Sequence, residues 1–149
     1  MKKIFFYLSI LFCFQLHAQD VTSTPRNIIL ILTEGIGVGQ LSLATAGYHV
    51  KNILDTFDHS ALLKTSSADN MVTDKAASAT AIATGKKTKN GFIGMDANNH
   101  YATNLFDQAR KKEMGTAFIT TSSLTAPFSA SFLTHRINKS TDEDIAEEI

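Results

Sequence analysis

The hydrophobic pattern divides the chain into apolar runs separated by segments with helical features. Residues 27–32 form a continuous aliphatic run, which is typical of a strand buried on both faces of a parallel sheet. Residues 61–66 and 116–121 are apolar enough to predict two further strands. Helices are predicted at residues 40–48 and at the alanine-rich residues 75–84. This alternation of strands and helices predicts an α/β sandwich.

Capping residues mark the ends of the predicted helices. Asp74 is suited to cap the alanine-rich helix at its N-terminus, and Gly85 is suited to end it.

Three predicted strands make a small sheet, and no strand follows the last predicted helix before Ile149, so we expect a domain that is incomplete at its C-terminus. The remaining predicted helices cover residues 104–114, residues 129–135 and a segment that Thr141 and Asp144 open.

The N-terminus has the pattern of a secretory signal peptide. A cationic start precedes the apolar residues 4–16, which are too few to span a bilayer, and Ala18 ends a segment suited to cleavage. We therefore expect a signal peptide at residues 1–18, a polar tether at residues 19–26 and one domain at residues 27–149. We also expect the domain to be exported to the periplasm or the medium, without attachment to the membrane after the signal peptide is cleaved.

Composition narrows the classes of partner and of stabilising bond. The 149 residues fit one domain, and 14 basic side chains balance 14 acidic ones, so no basic surface for nucleic acid is expected. Cleavage after Ala18 would remove Cys13, which is the one cysteine of the chain. The exported domain would therefore hold together without disulfides.

Two glycine-containing segments fail the requirements of nucleotide-binding loops. The turn at residues 35–39 follows the first predicted strand, but Gln40 stands where a dinucleotide fingerprint needs a small residue. A phosphate loop ending at residues 85–88 would need a glycine where Thr80 stands. We therefore interpret both segments as turns.

Residues 73–91, with the sequence TDKAASATAIATGKKTKNG, resemble the nucleophile segment of the alkaline phosphatase family. Residues 27–37 resemble the family's first strand and metal-binding turn, and residues 120–125 with His135 resemble its third segment. The resemblance covers residues 27–149 and implies the N-terminal part of a three-layer α/β sandwich. It also implies a phosphomonoester hydrolase with zinc and magnesium as cofactors, a phosphomonoester or inorganic phosphate as ligand, and a homodimer as one assembly.

The resemblance carries the family's functional positions onto residues that have changed. Its nucleophile, a serine or threonine, falls on Lys75, which has no hydroxyl. Its metal-bridging aspartate falls on Glu34, and its phosphate-binding arginine falls on Lys139, which lacks the bidentate fork. Its magnesium-binding positions fall on Ala126 and Phe128, which cannot bind a hard cation.

These substitutions predict a catalytically impaired member of the family, although the sequence leaves open whether activity survives. The resemblance places the remaining zinc ligands in the family's C-terminal half, beyond Ile149. One alternative is an active, metal-dependent phosphomonoesterase in which Ser78 or Thr73 replaces the missing nucleophile. Another alternative is a truncated fragment with no function of its own.

Overall fold

A computed structural model describes residues 27–48, 53–137 and 142–149. The predicted signal peptide and tether lie outside the described residues, as do Lys139 and Thr141. The described part of the chain divides into a first unit, which ends at Asp58, and a second unit, which begins at His59. No helix within the described residues combines the length and the apolar composition that crossing a membrane would require.

The first unit contains helix α1, Val38–Tyr48, and a short 3₁₀ helix, Ile53–Thr56. The prediction of a helix at residues 40–48 is confirmed, and the helix begins two residues earlier. It begins there because the Gln40 side chain accepts a hydrogen bond from the Gly37 N–H at 2.9 Å, which satisfies a donor that the first helical turn leaves open.

The second unit contains four described α-helices, and all four predictions of helix are confirmed; the alanine-rich helix has the predicted bounds, whereas the bounds of the next two helices are shifted by one to three residues. Gly85 ends the alanine-rich helix in the left-handed conformation, with φ of 72°, as expected. Asn104 and Asp107 cap the next helix reciprocally at its N-terminus. The helices are α2 at Lys75–Thr84, α3 at Leu105–Lys111, α4 at Pro127–Leu133 and α5 at Asp142–Glu148.

Helices α2 and α4 pack against each other and form the centre of the second unit. Alanines on α2 allow the close approach, and Ala76 lies in a buried cluster with Ile93, Ala130 and Ile145. The Ser131 hydroxyl of α4 lies 2.7 Å from the Pro127 carbonyl oxygen of its own helix and 3.1 Å from the Ala76 carbonyl oxygen, and its one proton, shared between these two acceptors, forms a hydrogen bond across the interface. This bond joins α4 to the first turn of α2.

A buried threonine fixes the segment that crosses α2. The Thr80 hydroxyl donates to the Phe92 carbonyl at 3.1 Å and accepts from the Gly94 N–H at 2.9 Å. Ile93, which lies between them, exchanges two backbone hydrogen bonds with Arg136, at 2.9 and 2.7 Å. Residues 92–94 are therefore held on one side by α2 and on the other by the segment after α4.

Helix α5 is attached to the second unit by polar contacts around Glu148. The Glu148 carboxylate lies 2.8 Å from the Arg136 Nε atom and accepts a hydrogen bond from the His135 backbone N–H at 2.9 Å. Arg136 also donates to the Asp144 carbonyl at 2.9 Å. Together with the burial of Ile145, these contacts fix the last described helix.

The predicted strands are not strands in the described structure. Residues 27–32, 61–66 and 116–121 form no β-ladder, and the bridges present in the described segments are two isolated antiparallel pairs, Ile93–Arg136 and Met95–Tyr101. An apolar run becomes a strand only when a neighbour supplies hydrogen bonds and cover. The three strand predictions are therefore wrong for the described residues, and the three-layer α/β sandwich is not confirmed.

Candidate functional site at the N-terminus of helix α2

Lys75 is the first residue of α2, and its side chain is exposed. The preceding Asp74 caps the helix because its Oδ1 atom accepts from the Ala77 N–H at 2.8 Å. Its other oxygen, Oδ2, accepts from the Gly91 N–H at 2.6 Å. One carboxylate therefore caps the helix and also binds a distant loop, which fixes the backbone beneath Lys75.

Asn90 forms a second link between the same two segments. Its Oδ1 atom accepts from the Asp74 N–H at 3.1 Å, and its Nδ2 atom donates to the Val72 carbonyl at 3.0 Å. Sequence reasoning did not identify this role. The Asn90–Gly91 dipeptide was the available signal, because it is typical of a tight turn and Gly91 has φ of 84°.

Asp69 extends the network to a third segment. Its Oδ1 atom accepts from the Asn90 N–H and from the Ser67 hydroxyl, each at 3.0 Å. The Asn90 N–H is the main reason that the pKa of Asp69 lies below its ordinary value of 3.8, and the Ser67 hydroxyl and nearby Lys89 lower this pKa further. The carboxylate thus helps to hold Asn90 in its bridging position.

The lowered pKa of Asp69 predicts that acid weakens this network. Because the folded chain binds the proton less tightly than the unfolded chain, the carboxylate contributes stability above pH 3.8, and that contribution is lost as pH falls through the folded pKa. We expect Asp69→Asn to lose less stability than the wild type between about pH 5 and pH 2. Urea unfolding across that range measures the difference. Parallel pH profiles for the two proteins would contradict the prediction.

Removing the cap is expected to destabilise α2. Asp74→Ala abolishes one cap bond and one bond to Gly91, so the free energy of unfolding should fall by about 2 kcal/mol. Asp74→Asn is the matched variant, since one side-chain oxygen remains to accept a hydrogen bond. Its free energy of unfolding should lie between those of Asp74→Ala and the wild type. Urea midpoints at pH 7 measure the series. An Asp74→Ala protein as stable as the wild type would show that the cap is dispensable.

The two hydroxyl side chains nearest to Lys75 in sequence both bind backbone carbonyls. Ser78 donates to the Lys75 carbonyl at 3.2 Å and lies one turn into the helix. Thr73 donates to the Asp74 carbonyl at 3.2 Å and precedes the cap. A nucleophile for in-line displacement needs its oxygen directed at the phosphorus atom. Either hydroxyl would have to break its present bond to attack.

Two lysines of the loop after α2 bind groups of their own unit. The Lys87 ammonium lies 2.6 Å from both the carbonyl and the hydroxyl oxygen of Ser66. The Lys89 ammonium lies over the Phe92 ring, 5.5 Å from its centroid. These contacts favour a structural role for both cations.

The two positions to which the resemblance assigns magnesium binding lie at the start of α4. Ala126 is the residue before the helix and makes no side-chain cap, while the Phe128 ring packs 6.1 Å from the Phe132 ring. Neither side chain carries a donor for a hard cation. In the described segments, moreover, no group of three or more histidine, cysteine, aspartate or glutamate residues could hold a metal ion. The side chains at positions 126 and 128 therefore do not fit a magnesium site.

Three of the predicted site residues lie in the second unit. Lys75, Ala126 and Phe128 lie at the N-terminal ends of two helices, α2 and α4, that pack against each other in the second unit. Glu34 lies in the first unit, exposed beside Gly35, which has φ of 71°. Lys139 is outside the described residues, and the assigned roles stay predictions.

A family model described as alkaline phosphatase matches residues 25–148. The chain belongs to the alkaline phosphatase family. The alkaline phosphatase of Escherichia fergusonii is 32% identical over 120 residues, which cover 74% of this chain and 25% of that protein. This chain thus spans about a quarter of the length of that curated relative, and the resemblance stated from residues 73–91 is confirmed.

Solved alkaline phosphatases have a similar fold. The enzyme of the Antarctic bacterium TAB5 is 33% identical, with a TM-score of 0.77 over 84% of this chain and 36% of the TAB5 chain. A TAB5 mutant with magnesium bound in its M3 site is 34% identical, with a TM-score of 0.73 over the same shares of each chain. The described residues are therefore a part of an alkaline-phosphatase-like fold.

Proposed function

We propose that this member of the alkaline phosphatase family does not hydrolyse phosphomonoesters. The observation that carries the proposal is Lys75 at the first position of α2, on a backbone that Asp74 fixes from two sides. A lysine there has no oxygen to form a phosphoserine-type intermediate. Lys75 also attaches a cationic side chain to the N-terminus of the helix, where the positive end of the dipole stabilises an anion and not a cation.

The start of α4 supports the same proposal. Ala126 and Phe128 offer no ligand for magnesium, so the metal chemistry of the relatives has no support at these positions. The scaffold around them is intact, because α2 and α4 pack closely and Ser131 joins them. A retained scaffold with altered chemical positions favours a binding or structural role for this chain.

The wider setting of the protein is part of the proposal. By its N-terminal pattern the chain is exported through the signal peptide at residues 1–18 to the periplasm or the medium. By family membership we expect the chain to fold as the N-terminal part of a three-layer sandwich. Its expected ligand is a phosphomonoester or inorganic phosphate, and one expected oligomeric state is a homodimer. Zinc and magnesium are the family's metals.

Trapping of a phosphoenzyme tests the proposal directly. The wild type and the variants Lys75→Ser, Ser78→Ala and Thr73→Val are mixed with a radiolabelled phosphomonoester, zinc and magnesium, and are quenched in acid. We expect no protein-bound phosphate above background in the wild type. Label that chelation abolishes and that Ser78→Ala or Thr73→Val removes would establish the alternative, an active phosphomonoesterase with a replacement nucleophile.

A reciprocal variant separates the effect of the lysine from the effect of chain length. In the TAB5 alkaline phosphatase, the residue aligned with Lys75 is changed to lysine, while the rest of that enzyme is kept. We expect its kcat to fall by at least about 10³-fold, as for the removal of a nucleophile. A variant that keeps most of its kcat would show that lysine at this position is compatible with catalysis.

A further inference from the structure

Asn90 and Gly91 form the one Asn-Gly pair in the sequence. Glycine has no Cβ atom, so its amide nitrogen can approach the side-chain amide of a preceding asparagine more closely than that of any other residue. This approach is the first step of spontaneous deamidation, which needs water and no enzyme. A covalent change here would fall on the residue that links the loop after α2 to the start of that helix.

Deamidation proceeds through a cyclic imide, and its atoms balance without a cofactor. The Gly91 nitrogen loses its proton to hydroxide and forms a bond to the Asn90 Cγ atom. The bond from Cγ to Nδ2 breaks, and the departing nitrogen takes one proton from water and leaves as ammonia. Water then opens the imide at either of its carbonyls, which leaves aspartate or isoaspartate at position 90.

In the folded chain, the groups that this reaction uses are held by hydrogen bonds. The Gly91 N–H donates to the Asp74 Oδ2 atom at 2.6 Å, so removal of its proton would place an anion beside a carboxylate. The Asn90 side chain is tethered at both ends, because Oδ1 accepts from the Asp74 N–H and Nδ2 donates to the Val72 carbonyl. The closed network therefore opposes both the deprotonation and the movement of Cγ toward the nitrogen.

We propose that Asn90 is a deamidation site that the hydrogen bonds of Asp74 protect, and that reaction there is a one-way change. Deamidation occurs after these bonds have opened, so its rate follows the population of the open state. Aspartate at position 90 has no N–H to donate to the Val72 carbonyl and brings acceptor oxygens to it instead. It also adds a negative charge to a segment whose backbone N–H groups bind the Asp69 and Asp74 carboxylates. The network therefore does not close again in its present form.

Incubation of the full chain at mildly alkaline pH tests the protection. Peptide mapping by mass spectrometry measures aspartate and isoaspartate at position 90, in buffer and in concentrated urea. We expect Asn90 to deamidate at least about tenfold more slowly in the folded chain than in the unfolded chain. Equal rates would overturn the proposal. A faster reaction in the folded chain would also overturn it, because Asp74 would then assist the loss of the Gly91 proton.

The Asp74→Ala variant separates protection by this carboxylate from protection by folding in general. It removes the acceptor of the Gly91 N–H, so we expect Asn90 to deamidate at least about tenfold faster than in the wild type. The matched control is Glu148→Ala, which loosens α5 by removing the carboxylate that attaches it. Its rate should stay within about threefold of the wild-type rate. Equal acceleration in the two variants would contradict the role assigned to Asp74.

A milder change at the same position keeps the test valid if the alanine variant does not fold. Asp74→Asn retains one side-chain oxygen for the helix cap but has no negative charge beside the Gly91 N–H. We expect it to deamidate faster than the wild type and more slowly than the unfolded chain. A rate equal to that of the wild type, in a folded Asp74→Asn protein, would count against the proposal.

The effect of the product is tested with Asn90→Asp, which makes the aspartate form directly. We expect a lower urea midpoint than that of the wild type and faster exchange of the Gly91 amide. Asn98→Asp is the matched control, because it adds the same charge at an exposed position of the same unit, and its midpoint should change little. Equal midpoints for the two variants would refute the one-way change. These assays do not measure hydrolysis, so their outcome is independent of whether Lys75 removes catalysis.

Discussion

Alanine at position 94 is expected to destabilise the second unit strongly. Gly94 has φ of 61°, and a Cβ atom added there would lie 2.0 Å from the Thr134 carbonyl oxygen and 3.1 Å from a ring carbon of His135. The carbonyl belongs to the backbone at the end of α4, so it cannot rotate away as a side chain would. We expect the left-handed conformation and the clash together to cost about 3–5 kcal/mol.

Urea unfolding and amide exchange measure this effect, and Gly115→Ala is the matched control. A Cβ at Gly115 would meet no atom within 4 Å, so its replacement should change stability by less than about 1 kcal/mol. Loss of protection in Gly94→Ala should extend to α2 and α4, since residues 92–94 bind Thr80 of α2 and Ile93 packs against Ala130 of α4. Equal midpoints for the two alanine variants would show that the segment shifts without cost.

Valine at position 80 is expected to have the second largest effect. Thr80 is fully buried, and its hydroxyl satisfies both the Phe92 carbonyl and the Gly94 N–H. Valine has nearly the same shape but no hydrogen-bonding group, so both backbone groups would stay buried and unsatisfied. We expect the free energy of unfolding to fall by about 2–4 kcal/mol.

The control for this change is Thr103→Val, which makes the same chemical substitution at an exposed position. It should alter the urea midpoint little. In Thr80→Val, the Gly94 amide should exchange with solvent faster than in the wild type, because its acceptor is gone. A Thr80→Val midpoint within error of the Thr103→Val midpoint would refute the role assigned to the hydroxyl.

Helix ends were predictable because the signals that set them are local. Asp74 and Gly85 cap α2 through contacts within three or four residues, and their residue types alone predict those contacts. The start of α4 was predicted two residues late, since Pro127 at the first helical position was not used as a signal. Local chemistry therefore fixed the helices to within a few residues.

The strands were not predictable in the same way, because a strand depends on partners that are distant in sequence. Residues 27–32 and 116–121 have the composition of strands, but the described chain provides no ladder for them. Amino-acid composition indicates that a segment can form a strand within a sheet. It does not indicate whether the neighbouring strands of that sheet are present.

The candidate site was predictable from motif resemblance, whereas its supporting contacts were not. Lys75 lies at the helix start where the resemblance placed it, and Asp74 caps that helix as expected. The bonds that Asn90 and Asp69 make to this region join residues 16 to 21 positions apart. Such contacts follow from the path of the chain, which a single sequence does not give.

The double use of Asp74 also has a kinetic consequence. The carboxylate that caps α2 also binds the Gly91 N–H through its second oxygen, so the N-terminus of the helix reaches its final form only when a loop spanning 17 positions closes. Early in folding, α2 should therefore fray at Lys75 while its middle is already helical. The helix start and the Asn90–Gly91 turn are thus expected to become ordered in the same step, with loop closure setting their common rate.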